Sequence, residues 1–346
     1  MDILVLSREF PPYVMGGISY HLCNLYNQIA EQGHKVTVLA GKCPQSWNSL
    51  TDRIHPSIEV KPVQFGFRKG YYLLYPLALK NYLRNFDTRP YDIVSCHTPI
   101  PFRVNDLPIV TKYHDCTVET HQYMGENLST IEKIGDRILH PIRKRIDRKS
   151  LLSTDFAIFN SGVNKTGWLS NYNIDLQHRI IHNGVDTNLF YPEQSANQEY
   201  VVFVGSTSQK GLNSVLDYAD KFTRPVHIVG NVDVEHDNVT SHGRVSQDEL
   251  RRIYSAAAVT IHPAKFESFG NVVLESLACG TPVVTTKECG ASEILSDSTG
   301  VVSNNLDQAI ETAVEYNAVD CVSTASMFTW DKVAQETIEL FQDVAG

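Results

Sequence analysis

The most constraining feature of this sequence of 346 residues is a pattern of strands and helices that occurs twice. Apolar runs of about four to six residues alternate with amphipathic stretches of about ten to fifteen residues. Parallel strands that are buried on both faces and joined by crossover helices produce such a pattern. Because the series restarts from a strand in the second half, the sequence predicts an α/β fold with two doubly wound parallel-sheet domains.

The length and one polar segment predict where the domains divide. A chain of 346 residues is longer than a single hydrophobic core usually supports. The segment 188–197 is polar, contains Pro192 and lies between the two series, which makes it the natural hinge. We therefore expect one domain over 1–188 and a second domain that begins at residue 189.

The periodicity also predicts individual elements. In the first half, a helix with an apolar stripe begins near Ile18 and ends at Gly33. The strands predicted there are 3–6, 36–39, 58–63, 92–95, 109–113 and 156–159. In the second half, the predicted strands are 200–204, 226–229, 259–262 and 282–285, and the predicted helices are 212–222, 247–256, 271–279 and 331–344.

Charge and cysteine usage exclude several classes of protein. A formal net charge of −9 argues against a nucleic-acid partner, because neutralising phosphates requires a basic surface. The seven cysteines are scattered singly, without the spacing of a zinc site. They are typical of reduced, intracellular thiols.

Hydropathy predicts how the chain relates to a membrane. No stretch approaches the ~20 apolar residues of a membrane span, and the first strand begins without a secretory signal before it, so we expect a cytoplasmic protein. The basic, partly apolar stretch 137–149 predicts either peripheral contact with the inner face of a membrane or a solvated helix face. The aromatic run 71–75 fits either a membrane contact or the core.

The most informative motif lies between residues 263 and 282. Gly270 and Asn271 start a predicted helix just beyond a strand end, so its free N–H groups, including that of Val272, favour a bound diphosphate. Glu267 lies just before this helix, and Glu275 lies about one turn inside it. The two carboxylates are therefore expected to contact different parts of one extended ligand.

This motif resembles the signature of family four of the retaining glycosyltransferases, which have the GT-B fold. Glu267 and Glu275 are separated by seven residues, inside the frame Phe-Gly at 269–270 and Leu-Ala-Cys-Gly-Thr-Pro-Val-Val at 277–284. The resemblance implies two Rossmann-like domains that face each other across a cleft. It also implies transfer of a hexosyl unit from a UDP- or GDP-linked sugar to a hydroxyl of a glycan, lipid-linked or small-molecule acceptor, with retention of anomeric configuration.

The resemblance extends along nearly the entire chain. Asn183-Gly-Val-Asp186 resembles the interdomain signature, which assigns 1–188 to the acceptor side and 189–329 to the nucleotide sugar. The Phe-Thr-Trp sequence at 328–330 resembles the start of the closing helix, which implies that 330–346 crosses back to the first domain.

The resemblance also implies roles for individual residues. Lys210 would contact the donor diphosphate, where a cation stabilises the leaving group. Glu267 would orient the sugar, and Glu275 would hold the ribose. His114, which follows the strand 109–113, would line the reaction face, and the turn with Gly16 and Gly17 would approach the donor phosphates or the acceptor.

Two positions depart from the family pattern. Ser206 stands where the family usually has an arginine after the glycine equivalent to Gly205, so the expected diphosphate site lacks one cation unless Arg8 or Arg244 supplies it. The glycine-rich turn after the next strand is reduced to Gly230-Asn231, where the family recognises the base.

The acidic stretch 233–237 resembles the aspartate-x-aspartate metal site of the other glycosyltransferase fold, but a solvated loop is the better interpretation. We therefore expect no cofactor and no obligatory metal. The alternative functions are a sugar-nucleotide epimerase or hydrolase, which consumes donor without an acceptor, and a non-catalytic nucleotide-sugar-binding subunit, which binds donor without turnover. A nicotinamide oxidoreductase is disfavoured because the first turn lacks a compact GxGxxG.

Overall fold

The computed structural model describes residues 1–124, 130–193, 199–221, 224–232 and 234–346. Within these residues the strands form a seven-stranded and a six-stranded sheet, with a separate two-stranded pair. Every strand pairing inside the two large sheets is parallel. The chain passes from the first sheet to the second between residues 180 and 200.

The first half builds the seven-stranded sheet in the order β5-β3-β1-β6-β7-β8-β9. The first half of the chain also contains β2 and β4, which form the separate two-stranded pair. The strands are β1 (Asp2–Ser7), β2 (Tyr13–Val14), β3 (Lys35–Lys42), β4 (Trp47–Asn48), β5 (Ile58–Gln64), β6 (Ile93–Cys96), β7 (Ile109–Tyr113), β8 (Phe156–Phe159) and β9 (His178–Ile180). The helices are α1 (Gly17–Glu31), α2 (Tyr71–Leu83), α3 (Thr117–Met124), α4 (Thr130–Ser153) and α5 (Gly162–Tyr172).

The second half builds the six-stranded sheet in the order β12-β11-β10-β13-β14-β15. Its strands are β10 (Tyr200–Val204), β11 (Val226–Val229), β12 (Val239–Gly243), β13 (Ala257–His262), β14 (Val283–Thr285) and β15 (Gly300–Val302). The helices are α6 (Leu212–Tyr218), α7 (Gln247–Ala256), α8 (Asn271–Ala278), α9 (Leu306–Ala313), α10 (Ala318–Ala325) and α11 (Trp330–Ala345).

The last helix belongs to the core of the first domain. Trp330 and Phe341 of α11 are buried in the same cluster as Ile3 of β1 and Leu25 of α1. Trp330 packs so closely over Gly184 that a Cβ there would lie 2.8 Å from the indole ring. The two domains are therefore joined by two crossings of the chain, one before β10 and one at the start of α11.

Most predicted elements are present, and the differences have local causes. The predicted helix 212–222 ends earlier, at Tyr218, and residue 222 lies outside the described residues. The predicted strand 282–285 begins at Val283, because proline has no N–H to donate to a neighbouring strand. In the aromatic run 71–75, Tyr72 and Tyr75 are buried, so the core alternative holds for these two side chains.

Candidate active site

Lys210 and Glu267 meet at the carboxyl edge of the second sheet. Lys210 ends a short 3₁₀ turn, Ser208–Lys210, that follows β10, and Glu267 follows β13, the neighbouring strand. The Lys210 Nζ atom lies 3.4 Å from Glu267 Oε2. The turn is held against the β13 loop by Gln209, which donates from Nε2 to the carbonyl of Phe266 at 2.9 Å.

The electrostatics of this pair favour two opposite charges. Burial raises the pKa of Glu267, but the charge of Lys210 and the neighbouring His262 ring outweigh burial and lower the pKa to about 2. The Glu267 carboxylate in turn raises the pKa of Lys210. Glu267 Oε2 is buried and accepts no hydrogen bond from the described residues. A ligand hydroxyl placed beside it would satisfy this oxygen.

The N-terminus of α8 begins beside this pair. Gly270 has a φ of +97°, a left-handed conformation that favours glycine, and a Cβ there would lie 2.9 Å from Cys289 Sγ. No side chain among the described residues caps this helix end. The Asn271 side chain accepts a 2.9 Å hydrogen bond from Asn183 instead, and Val272 is half-buried. The first N–H groups of α8 therefore remain available to an anion, as they are in many phosphate sites.

Glu275 lies farther along the same helix. Burial raises the pKa of Glu275, while a hydrogen bond from Tyr254 and the charge of Lys210 oppose that rise. The Tyr254 hydroxyl donates to Glu275 Oε2 at 3.2 Å. Tyr254, from α7, was not among the predicted site residues.

A hydrogen bond between the domains joins the residue that follows His114 to the residue that follows Glu267. Ser268 Oγ donates to Asp115 Oδ1 at 2.8 Å, and Ser161 Oγ donates to the Ser268 carbonyl at 2.6 Å. Because Asp115 follows His114 and Ser268 follows Glu267, the two segments face each other across the boundary between the domains.

His114 belongs to a buried chain of hydrogen-bonding side chains. Its Nε2 atom lies 2.9 Å from His97 Nδ1, and His97 Nε2 lies 2.6 Å from the Tyr26 hydroxyl. Burial, and then the nearby His97, Lys112 and Arg8, lower the pKa of His114 well below its ordinary value. The ring is therefore neutral near pH 7. His97 and Tyr26 also escaped the sequence analysis.

A carboxylate of the chain occupies the N-terminus of α1. Glu9 Oε2 accepts hydrogen bonds from the Gly16 amide at 2.6 Å and from Ser19 Oγ at 2.6 Å. Gly17 is exposed, and a Cβ there would meet nothing within 4 Å. The Gly16 amide is thus already engaged, whereas Gly17 faces open space. No local sequence signal marks Glu9, because its role depends on the turn that folds back over it.

The remaining predicted donor contacts are Ser206, Arg8 and Arg244. Ser206 is exposed just after β10. Arg8 donates from Nε to Glu9 Oε1 at 3.3 Å, and its guanidinium carbon lies 3.9 Å from the centroid of the Tyr71 ring. Arg244 is exposed after β12, two strands away from β10. None of these side chains forms an ion pair with Glu267 in the described structure.

The acidic stretch 233–237 is described except for its first residue. Asp233 is outside the described residues, and His236 Nε2 lies 3.4 Å from Asp220 Oδ1. Within the ranges that the structure describes, no group of three or more His, Cys, Asp and Glu side chains could hold a metal.

In the stretch 137–149, Lys144 and Arg145 are exposed, whereas Ile146 and Asp147 are buried, and the side chains of 137 and 138 lie outside the described residues. No described helix is long and apolar enough to cross a membrane.

Two family models match the chain. Residues 15–189 match the model described as Glycosyltransferase Family 4, and residues 198–317 match the model described as Glycosyl transferases group 1. One relative over the whole length is the alpha-maltose-1-phosphate synthase of Mycolicibacterium smegmatis, which is 23% identical, with 100% of both chains covered.

Solved structures show the same architecture. The sucrose-phosphate synthase of Thermosynechococcus elongatus superposes with a TM-score of 0.77 at 19% identity, covering 99% of this chain and 98% of that chain. The Anabaena protein HepE in complex with UDP superposes with a TM-score of 0.71 at 17% identity, covering 99% and 100%. The fold is therefore GT-B, as predicted. With the first family model spanning half of its length, the chain is a glycosyltransferase and belongs to Glycosyltransferase Family 4.

Proposed function

We propose that this protein transfers a hexosyl unit from a UDP- or GDP-linked sugar to a hydroxyl of a glycan, lipid-linked or small-molecule acceptor, with retention of anomeric configuration. The structural neighbour HepE was solved with UDP and with UDP-glucose, which supports a nucleoside diphosphate sugar as the donor class. The observation that carries the proposal is the ion pair of Lys210 and Glu267 beside the uncapped N-terminus of α8.

The leaving diphosphate would lie between Lys210 and the first N–H groups of α8. Negative charge grows on the diphosphate as the glycosidic bond breaks, and a fixed ammonium and fixed backbone dipoles stabilise that charge without reorganising. No metal is required in this proposal, because these groups supply the positive potential.

Glu267 and Glu275 would hold the two ends of the donor. Glu267 is ionised near pH 7, so it acts as a hydrogen-bond acceptor for the sugar and not as an acid. Its charge also favours the oxocarbenium-like centre that forms as the leaving group departs. Glu275 lies farther along α8, where the ribose of an extended donor would lie.

Retention follows in this proposal from attack on the face that the diphosphate leaves. The acceptor hydroxyl would approach from the first domain, past His114, while the departing diphosphate is still held by the second domain. Positioning both reactants in one cleft supplies much of the rate enhancement, and no covalent enzyme nucleophile is needed.

The test is turnover of variants on the true donor. A thermal-shift panel of UDP- and GDP-linked sugars first identifies the donor, because a ligand that binds the folded state raises its apparent stability. Lys210→Ala and Glu267→Gln should then each lower kcat/KM by about a hundredfold or more, the usual effect of removing one preorganised charge partner. Product anomers determined by NMR report whether configuration is retained.

Matched controls come from the same domain. Lys287 is 80% exposed, and Glu315 is exposed on the surface, so Lys287→Ala and Glu315→Gln should leave turnover unchanged. Full turnover by Lys210→Ala and Glu267→Gln would refute the site. Consumption of donor at the full rate without acceptor would indicate a hydrolase or epimerase, and binding without any turnover would indicate a non-catalytic subunit. Assays with and without EDTA test the expectation that no metal is required.

A further inference from the structure

A small cavity in the first domain opens beside His114. Its volume is about 80 Å³, enough for a small functional group but not for a whole glycan. Residues from several parts of the first domain line it, among them Arg8, Tyr71, Tyr72, His114, Asp115 and Arg143. Because it adjoins the face where the acceptor would approach, its chemistry bears on which acceptor is used.

Two arginines reach this cavity over two consecutive tyrosines. The Arg8 guanidinium carbon lies 3.9 Å from the centroid of the Tyr71 ring, and that of Arg143 lies 4.6 Å from the centroid of the Tyr72 ring. The two tyrosine rings are perpendicular, with centroids 5.8 Å apart. Stacking on an aromatic ring fixes the plane of a guanidinium and leaves its N–H edge free to bind an anion.

Among the described residues, few groups accept hydrogen bonds from these two arginines. The Nε atom of Arg143 is buried and has no hydrogen-bond partner among the described residues. Arg8 donates from Nε to Glu9, an interaction that uses one of the five N–H groups on its guanidinium. A buried donor without a partner costs free energy, which a bound acceptor atom would recover.

Two carboxylates that line the cavity, Asp115 and Asp147, already accept hydrogen bonds from other side chains. Asp115 accepts hydrogen bonds from Ser268 at 2.8 Å and from Thr120 at 2.9 Å. Asp147 accepts a 2.9 Å hydrogen bond from the Tyr172 hydroxyl, and burial raises the pKa of Asp147 to about 6. The cavity therefore holds two arginines and two carboxylates, and the carboxylates already accept hydrogen bonds whereas the Arg143 Nε donor has no partner among the described residues.

We propose that this cavity binds a phosphate group on the acceptor, held by Arg8 and Arg143, and that the enzyme selects acceptors that carry a phosphate ester near the accepting hydroxyl. The proposal rests on the function proposed above. A tetrahedral dianion suits two guanidinium groups that approach from different residues, because it offers oxygens in several directions. Arg8 thus serves the acceptor and not the donor diphosphate.

Such a phosphate ester has two sources, a soluble sugar phosphate or the headgroup of a phospholipid. Their shared chemistry is a hydroxyl-bearing phosphate, and the arginines recognise that part in both. The stretch 137–149 contributes Arg143 to the cavity, whereas its neighbours Lys144 and Arg145 point to solvent.

Binding of inorganic phosphate tests the cavity without any turnover. Calorimetry is done on the full chain with the donor site saturated by UDP or GDP, so that phosphate cannot report on the diphosphate site. Arg143→Gln should weaken phosphate binding at least tenfold. Arg145→Gln, the same change at an exposed position of the same helix, should not alter it. Equal weakening by both changes, or no phosphate binding by the wild type, would overturn the proposal.

Acceptor assays then identify the source of the phosphate. The panel contains a hexose, its 1- and 6-phosphates, the corresponding uronic acid, and phosphatidylcholine vesicles with and without phosphatidylglycerol or phosphatidylinositol. We expect product only from phosphate-bearing acceptors, with KM raised at least tenfold by Arg143→Gln and a smaller change in kcat. Equal use of the uncharged hexose, or preference for the uronic acid, would contradict the proposal.

Two readouts separate this proposal from the one on which it rests. Thermal unfolding shows whether Arg143→Gln folds, and if it does not, Arg8→Gln replaces it in both experiments. If the donor panel and Lys210→Ala fail while phosphate binding depends on Arg143, then the proposed function is wrong and the anion cavity remains. The reverse result would refute phosphate binding in the cavity and support the donor site.

Discussion

At the scale of single residues, the site contains buried charges that stabilise each other. The Lys210 ammonium keeps Glu267 ionised even though burial alone would favour the neutral acid. Removing either partner would leave the other charge poorly compensated, which is costly inside a protein. The pair therefore preserves the charge pattern of the site before a ligand arrives.

Lys112 is the contrasting case, a buried base for which the charge of Glu336 offsets only part of the effect of burial. It is 3% exposed, donates to the Ile181 carbonyl at 3.3 Å, and burial lowers its pKa to about 7. Between pH 7 and 10 the unfolded chain binds a proton at this residue that the folded chain does not. Its destabilising effect is therefore complete below about pH 7 and fades as the pH rises towards the ordinary lysine pKa.

We predict that Lys112→Met stabilises the fold most near pH 7, and that its advantage over the wild type shrinks by at most about 1.4 kcal/mol per pH unit towards pH 10. Loss of the hydrogen bond to Ile181 changes the free energy of unfolding by an amount that does not depend on pH. Guanidinium unfolding of both proteins from pH 7 to 10 measures the slope. The control is Lys144→Met, at an exposed position, for which the difference in unfolding free energy from the wild type should not change with pH. If that difference did not change with pH for Lys112→Met either, the burial of a neutral amine would be contradicted.

The site residues differ in how visible they are in the sequence. Lys210, Glu267 and Glu275 were predicted because each is tied to a local motif at a strand end or helix start. Glu9 and His97 were missed because their hydrogen-bond partners are distant in the sequence or lie beyond a turn, so no spacing reveals them. Polar groups that act through tertiary contacts leave no periodic signal.

At the scale of elements, the helix N-termini at the domain boundary have different occupants. Glu9 binds the amide of Gly16 at the start of α1, and Glu293 binds the amides of Gly162 and Val163 at the start of α5. The start of α8 has no such carboxylate among the described residues. Two helix ends are thus neutralised by the chain itself, and the third is left for an external anion.

We predict that Gly270→Ala lowers the stability of the protein by more than backbone strain alone would. A left-handed φ costs a non-glycine residue about 1–2 kcal/mol, and here the Cβ would also lie 2.9 Å from the buried Cys289 sulfur. Gly243→Ala is the control, because its φ of +65° is also left-handed and a Cβ there would meet nothing within 4 Å.

Denaturation midpoints and turnover measure both Gly270→Ala and Gly243→Ala. Gly270→Ala should lose more stability and at least tenfold in kcat/KM, whereas Gly243→Ala should lose stability alone. Equal behaviour of the two variants would mean that the geometry at the start of α8 does not matter for the reaction.

Element prediction was most accurate for four short strands of the two large sheets. The strands β7, β8, β10 and β11 have the predicted bounds, because short, mostly buried runs between turns admit few alternatives. The strand β12, with the sequence Val-Thr-Ser-His-Gly, was missed because an edge strand that is only partly buried has no continuous apolar run.

At the scale of the whole molecule, the two domains are in contact across the site. The bonds of Ser268 to Asp115 and of Ser161 to Ser268 connect the edges of both sheets. The packing of Trp330 against Gly184 ties α11 to the chain crossing. We propose that substrates enter by a hinge motion near residue 190, which would separate these edges while α11 stays with the first domain.

The central claim is that the gap between Lys210 and α8 holds the diphosphate of a nucleotide sugar. A crystal structure with the nucleoside diphosphate chosen by the thermal-shift panel tests it most directly. We predict diphosphate oxygens within about 3.2 Å of Lys210 Nζ and of the amides of Asn271 and Val272, with the ribose near Glu275. A diphosphate bound at any other place, with Lys210 still paired only with Glu267, would contradict the account.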